Sequence, residues 1–213
     1  KSEKIEILLA GCGTGKHLVS IGKYANTNIL AIDLSLASLA YAKRKVDDFN
    51  YNNIKFLQTD ILELGNLDQK FDIIESVGTL HHMESPKDGL KSLLKVLKPN
   101  GLLRLGLYSE LAREDIVKLR EIIKTKNFET NIDGIKKIRE FIISQNKSNN
   151  IFSSVLTKDF YSTSMIRDLL FHVKEHRFTI PKLIEILKDF NLQFLGFVFS
   201  NNYVKSEYSK IFP

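Results

Sequence analysis

Short apolar runs alternate with stretches of helical period through the first half of the chain. The runs are Ile5 to Ala10, Asn28 to Ile32, Ile54 to Gln58, Phe71 to Glu75 and Leu102 to Tyr108, rich in Ile, Leu and Phe. Near-continuous apolar strands are buried on both faces, which predicts a parallel sheet covered by helices. Between them, His17 to Ala25, Ser35 to about Phe49 and Pro86 to Leu97 predict helices. Ser35 is a suitable N-cap. Leu90, Leu93, Leu94 and Leu97 share one helical face, and Lys98-Pro99-Asn100-Gly101 supplies a stop signal. The predicted fold class is α/β, a doubly wound and mostly parallel sheet. A ligand would then sit at the carboxyl ends of the strands, near the switch in strand order.

The second half has a different rhythm. Glu110 to about Lys126 and Ile132 to about Gln145 read as helices, Asn146 to Asn150 as a loop, and Phe152 to Phe171 as a mixed stretch. Ile180-Pro181 opens a helix to Phe190, and Leu192 to Ser200 reads as a sixth strand. The interval between strands five and six is about seventy residues, far more than a crossover needs. Residues 111–178 are therefore expected to form a helical insertion, a lid or a stabilising cap over the carboxyl edge. It would sit between a core of 1–110 and a return to the sheet over 179–213, all within a single domain. After Ser200 only Tyr203-Val204 carries a weak strand signal, so a last strand is expected to be missing. With no Met before Lys1, this suggests a fragment of a longer protein.

The chemistry is concentrated where the first strand ends, in Gly11-Cys12-Gly13-Thr14-Gly15-Lys16-His17. A glycine loop between a strand and a helix lets backbone approach a ligand closely at a helix N-terminus. Asp33 closes the second strand, where a carboxylate can accept hydrogen bonds from two ribose hydroxyls. A dinucleotide fingerprint would need glycine at position 16, which is Lys16. A P-loop would need glycine at position 10 and Ser or Thr at 17, which are Ala10 and His17. What remains, Gly-x-Gly-x-Gly, resembles motif I of the class I S-adenosylmethionine-dependent methyltransferases.

Three further segments resemble that family in order. They are Phe56-Leu-Gln-Thr-Asp60-Ile61, the motif IV-like Phe71-Asp72-Ile-Ile-Glu-Ser-Val-Gly-Thr-Leu-His81-His82-Met83, and the turn Leu97-Lys98-Pro99-Asn100-Gly101. The resemblance implies S-adenosyl-L-methionine as cofactor, held by Gly11, Gly13, Gly15 and Asp33. Asp60 and the backbone N–H of Ile61 would meet the adenine. More narrowly, the chain is similar to a bacterial group of methyltransferases often fused behind tetratricopeptide repeats. That similarity rests on Ala31 to Lys45, Gly106 to Ile116, Phe160 to Ser164 and Arg167 to His176. It implies a repeat array that recruits a partner.

Such an enzyme positions an acceptor and handles its proton, the cofactor carrying the activation. His81 and His82 follow strand four, and Tyr108, Ser109 and Arg113 follow strand five; His81, His82 and Tyr108 are the catalytic candidates. Arg113 and Arg167 could hold an anionic acceptor group bidentately, or pair with neighbouring carboxylates. His172, Glu175 and His176, on one helical stretch, would share a face. His172 and His176 are counted as substrate-binding candidates, and no metal site is assigned.

Size and charge limit the alternatives. The 213 residues, 43% hydrophobic and 26% charged, suit one globular α/β domain. The formal charge of +6 falls mostly in the second half without a basic run longer than three. It reads as solvated lysines, so no nucleic-acid partner is expected. No apolar run is long enough to span a membrane, and no signal peptide is visible. A single cysteine, Cys12, fits a reducing compartment, and a cytoplasmic location is expected. No Asn/Asp-Pro-Pro-Tyr/Phe follows strand four, which argues against methylation of adenine bases. The expected activity is methyl transfer to an oxygen or nitrogen of a small molecule or protein side chain. The rivals are a nicotinamide oxidoreductase, a non-catalytic cofactor-binding domain of a larger assembly, and an RNA methyltransferase.

Overall fold

The computed structural model describes residues 4–149, 152–171, 174–199 and 201–211. Two compact units divide the chain, 1–179 and 180–213.

The first unit is built on five parallel strands: β1 (Ile5–Ala10), β2 (Thr27–Asp33), β3 (Ile54–Gln58), β4 (Phe71–Val77) and β5 (Leu97–Gly106), in the order β3-β2-β1-β4-β5. The order reverses between β1 and β4, so crossovers leave both faces of the sheet available to helices. Helices α1 (Lys16–Ile21) and α2 (Leu36–Asp47) follow β1 and β2. Ile7, Leu9, Ile29 and Ala31 on the strands form one core with Leu18 of α1 and Ala42 and Val46 of α2. The alternate strand positions, Leu8, Ala10, Ile32 and Ile74, are equally buried. Helix α3 (Pro86–Val96) packs on the 3-10 turn Ile61–Asn66. The Ser35 hydroxyl accepts from the Ser38 N–H at 3.2 Å and caps α2, as expected, and Ser85 does the same for α3.

β5 differs from its expected start at Leu102. It begins at Leu97, which pairs with Phe71, and shifts register before Ile73 meets Leu102. Lys98 explains this: its ammonium bonds both oxygens of Asp72 at 2.9 Å, holding the bulged segment against β4. The stop signal is thus a kink inside one strand.

Residues 108–149 and 152–171 make up the helical segment. A two-residue strand β6 (Tyr108–Ser109) and the 3-10 turn Leu111–Arg113 lead into α4 (Glu114–Thr125), α5 (Ile132–Asn149), α6 (Lys158–Tyr161) and α7 (Thr163–Phe171). Ile116, Leu119 and Ile123 recur on one face of α4, and Ile135, Ile138 and Ile142 on one face of α5. They bury against Phe160, Ile166 and Leu170. This core is separate from that of the sheet. Helix α5 continues to Asn149 where a loop was expected, because no glycine or proline breaks the amide-rich end. The chain then returns through β7 (Arg177–Phe178), parallel to β6.

The second unit contains α8 (Ile180–Asp189) and α9 (Asn202–Ile211). The sixth strand expected at Leu192–Ser200 is not formed among the described residues 192–199, and Tyr203-Val204 lie in α9 rather than in a strand. Gly196 takes φ 137°, off the β region, in the middle of the apolar stretch. Phe197 and Phe199 pack on Tyr208 of α9, at ring-centre distances of 6.0 and 5.0 Å. Aromatic packing on a local helix has taken the residues that looked strand-like.

Truncating a fully buried side chain of the helical core tests its independent weight. Leu119→Ala is expected to lower unfolding stability by about 2–5 kcal/mol, read as a fall in the urea midpoint at unchanged slope; Leu119 is 0% exposed.

Candidate active site

Two groups of residues meet the carboxyl edge of the sheet, one on each side of the strand-order switch. The first is the glycine loop. Gly11, Gly13 and Gly15 take φ of 79°, 53° and 80°, the left-handed region that suits glycine. A side chain on Gly15 would lie 2.7 Å from the Ala42 methyl, so this position lets α1 and α2 approach. A side chain on Gly13 would meet nothing within 4 Å. The loop is therefore bare on its outer side, where a ligand can lie against backbone.

Asp33 fixes that loop. Its Oδ2 accepts from the Gly13 N–H at 2.8 Å, and its Oδ1 from the Ser35 N–H at 2.9 Å. Each oxygen retains a second lone pair, so the carboxylate can still accept from a ligand hydroxyl. At the end of β3, Thr59 N–H donates to the Asp33 carbonyl at 3.3 Å. The Asp60 Oδ1 accepts from Leu62 N–H at 2.9 Å, a cap on the following 3-10 turn, and its Oδ2 makes no hydrogen bond among the described residues. Ile61 turns its side chain into the core, 6% exposed. Leu34 and Leu62, 66% and 46% exposed, are apolar surfaces beside the two aspartates. The sequence pattern did not single out either leucine, although an apolar residue just past a strand-ending carboxylate was the available signal. Cys12 stays a thiol: burial, and then the Asp33 charge, push its pKa up to about 12.

A second cluster missed in the sequence lies on β4. Glu75 accepts at 2.8 Å from His17 Nδ1, in the tautomer that carries a proton there, and at 3.1 Å from Arg104. A carboxylate inside an otherwise apolar strand was its only sequence signal.

The other group follows β4 and β5. His81 and His82 lie in a 3-10 turn, Leu80–His82. The His81 ring stacks on Tyr108 at 3.7 Å between centres and 27° between planes, with the His82 ring edge-on at 4.2 Å. The Arg113 guanidinium lies over the Tyr108 ring at 3.8 Å. Arg113 in turn pairs through Nε and NH2 with Glu175, and Arg120 bonds the same carboxylate at 2.8 Å.

This arrangement revises several expectations. Arg113 is 8% exposed and turns its Nε and one NH2 hydrogen, the face that would grip an anion at two points, to Glu175, which is the carboxylate pairing the sequence left open. Glu175 and His176 do not lie on a helix: residues 174–176 carry no regular secondary structure and lead directly into β7. His172 itself lies outside the described residues. His176 is exposed, and its N–H donates to the His81 carbonyl at 2.8 Å. Arg167 is exposed on α7. Among the two strand-four histidines, His81 is 1% exposed with no hydrogen bond in good geometry at either ring nitrogen. Such a ring cannot touch an acceptor as placed. His82 is half-buried, and its Nδ1 sits 3.0 Å from the Lys174 carbonyl. With the proton on Nδ1, the lone pair is on Nε2.

The electrostatics follow from burial. Desolvation, aided by the His82 and Arg113 charges, pulls His81 down to about 4, with Glu175 and the Gly106 carbonyl acting weakly the other way. The ring is neutral at physiological pH. Burial also raises the Tyr108 phenol above its usual value. Burial opposes ionisation of Glu175, but hydrogen bonds from Arg113 and the charges of Arg120 and Arg113 outweigh it and hold its pKa below the usual carboxylate range.

A five-stranded parallel sheet of this order, with a bare glycine loop and a strand-ending carboxylate, defines a nucleoside-binding domain of the doubly wound α/β class. The family profile for a methyltransferase domain matches residues 1–160, and the chain belongs to that family of S-adenosylmethionine-dependent methyltransferases. The cofactor is S-adenosylmethionine, and the open Gly13 and the residual lone pairs of Asp33 suit it. An uncharacterized protein of Synechococcus is 32% identical over 203 residues, 90% of this chain and 48% of that protein. A malonyl-[acyl-carrier protein] O-methyltransferase of Acetivibrio thermocellus is 29% identical over 115 residues, 53% of this chain and 39% of its own length. The chain thus spans half or less of these relatives. Among solved structures, PKMT2 of Rickettsia typhi in complex with AdoHcy matches with a TM-score of 0.71 at 20% identity, over 99% of this chain and 44% of its own. That likeness is one of fold. No described helix is long and apolar enough to cross a membrane.

Stability should track these groups. The folded pKa of His81, about 4, lies below its unfolded value of 6.5, so between the two the unfolded state binds more protons. Stability is full above 6.5 and falls as pH drops towards 4. The Glu175 contribution is present above its unfolded value, ~4.3, and is lost as pH falls further. The melting temperature measured from pH 7 to 4 is expected to fall in the wild type, and to fall less in His81→Phe, which keeps the stack but not the titration.

Proposed function

We propose that this domain transfers the methyl group of S-adenosylmethionine to an oxygen or nitrogen of a small molecule or a protein side chain. The reading is carried chiefly by the glycine loop held open by Asp33, with a histidine–tyrosine cluster across the strand-order switch. Gly11, Gly13 and Gly15 give the cofactor a backbone floor. Asp33 accepts from the ribose hydroxyls. Asp60, through its unbonded Oδ2, and the Ile61 N–H meet the adenine, with Leu34 and Leu62 as apolar walls.

When bound, the cofactor supplies a methyl group on a sulfonium sulfur, which keeps the electron pair of the broken C–S bond. The protein's part is to seat the acceptor and take its proton. His82 is the group suited to take that proton. It is half-buried rather than buried, and with its Nδ1 proton held by the Lys174 carbonyl at 3.0 Å its basic nitrogen is Nε2. Tyr108 and His81 form the wall beside it. His81, buried and weakly basic, supports and does not react. Arg113 acts through Tyr108.

The likeness to an O-methyltransferase over about half the chain favours an oxygen acceptor. The similarity to repeat-associated bacterial methyltransferases supports a whole protein in which a tetratricopeptide array brings the acceptor to the domain, in a bacterial cytoplasm. The Synechococcus relative, twice the length of the matched region, leaves room for such an array.

Calorimetric titration with S-adenosylhomocysteine, S-adenosylmethionine and NAD tests the cofactor side. Micromolar binding of the first two, weakened at least tenfold by Asp33→Ala, is expected; each lost charge-assisted hydrogen bond is worth about 1.5–3 kcal/mol. Binding of NAD alone overturns the reading. Tight cofactor binding without methyl transfer to any acceptor in a broad screen would make the domain a non-catalytic binding module.

A further inference from the structure

The acceptor side is held from a distance. Residues 174–178 run back to the carboxyl edge, where β7 pairs with β6 and further bonds hold the segment. His176 N–H donates to the His81 carbonyl, the Lys174 carbonyl meets His82 Nδ1, and Glu110 N–H donates to the Phe178 carbonyl at 3.0 Å. These bonds place the strap and, through Lys174, the His82 ring, but none of them reaches the Tyr108 or His81 ring. Glu175 does more. Its side chain is 2% exposed, and a carboxylate so buried needs cationic partners. It has Arg113 in a two-point pairing and Arg120 at 2.8 Å, with Arg177 at 3.9 Å.

The two-point pairing fixes the plane of the Arg113 guanidinium as well as its position. That plane lies over Tyr108, whose other neighbour is the His81 ring. Four groups thus form one column: carboxylate, guanidinium, phenol, imidazole. Among the described residues, the two rings at its far end meet by ring contact. His81 has no hydrogen-bond partner in good geometry, and aromatic and cation contacts are individually weak beside a buried charge pair. Removing the carboxylate charge frees Arg113 and loosens the column.

We propose that Glu175 is a positioning residue of the methyl-transfer site: its buried carboxylate, acting through Arg113, sets the Tyr108–His81 stack that walls the acceptor beside His82. The inference rests on the proposed function for the meaning of that wall, but the mechanical link stands or falls separately. It makes the returning strap of the helical segment a determinant of acceptor geometry, 62 residues along the chain from Arg113.

The test is proton NMR of the histidine rings in the whole chain, 1–213, with His81 assigned by His81→Phe. In the wild type the His81 resonance should be displaced by the Tyr108 ring current. In Glu175→Gln, which keeps the shape and removes the charge, most of that displacement should disappear, while the dissociation constant for S-adenosylhomocysteine stays within threefold. Arg113→Lys, which keeps the charge and removes the planar fork, should move the same resonance and covers the case in which Glu175→Gln does not fold. With an acceptor in hand, kcat in Glu175→Gln should fall about 10- to 100-fold with KM for the cofactor unchanged, the scale of a small misplacement. Glu175→Asp should recover part of both. A folded Glu175→Gln with the wild-type His81 resonance overturns the proposal, as does an Arg113→Lys that leaves it in place when Glu175→Gln is unfolded. Failure of the wild type to bind S-adenosylhomocysteine would overturn the functional reading and leave the NMR result interpretable.

Discussion

The carboxylate of Asp33 is the constraint on which the cofactor side depends. One oxygen takes the Gly13 N–H and the other the Ser35 N–H, so a single side chain binds the loop after β1 to the start of α2. Its own carbonyl takes the Thr59 N–H, which fastens the end of β3 as well. A five-residue loop with three left-handed glycines has large conformational freedom, and glycine loses more of it on ordering than any other residue. A charge-assisted bond at the middle glycine offsets part of that cost before any ligand arrives. The loop is thereby kept open and fixed, the condition under which binding energy is not spent on ordering.

The His81–Tyr108 group beyond β4 and β5 is organised by different physics. No single strong bond holds His81 against Tyr108. The two rings are stacked between a 3-10 turn and an arginine whose orientation is dictated by a buried carboxylate. The cost of burying Glu175 is met by Arg113 and Arg120, with Arg177 close behind. The helical segment that supplies Arg120 and leads to Glu175 packs around its own apolar core, independent of the sheet's. The buried residues of the helical segment and those packed between the sheet and α1 and α2 thus form two separate clusters.

The division also explains what the sequence could and could not disclose. Five strands, the glycine loop, Asp33 and the Ser35 cap are set by local period and local hydrogen bonds, and all were legible within a few residues. The start of β5 was not, because its bulge depends on Lys98 reaching Asp72 across the sheet. Leu192–Phe199 has the composition of a strand, but Gly196 and the pull of Tyr208 give it another use. Arg113 looked like an anion ligand because its partner lies 62 residues on. The two adjacent histidines are indistinguishable in sequence; only the tertiary fold buries one under Tyr108 and leaves the other half-exposed. His17, Glu75 and Arg104, from three elements, gave no shared signal at all.

The most direct test is a crystal structure of the chain with S-adenosylhomocysteine. The ribose hydroxyls should lie within hydrogen-bond reach of Asp33, the amino acid end against Gly13, and the sulfur should be directed towards His82 and Tyr108. A ligand seated elsewhere, or a sulfur pointing away from His82 and Tyr108, would contradict the assignment of the two sides.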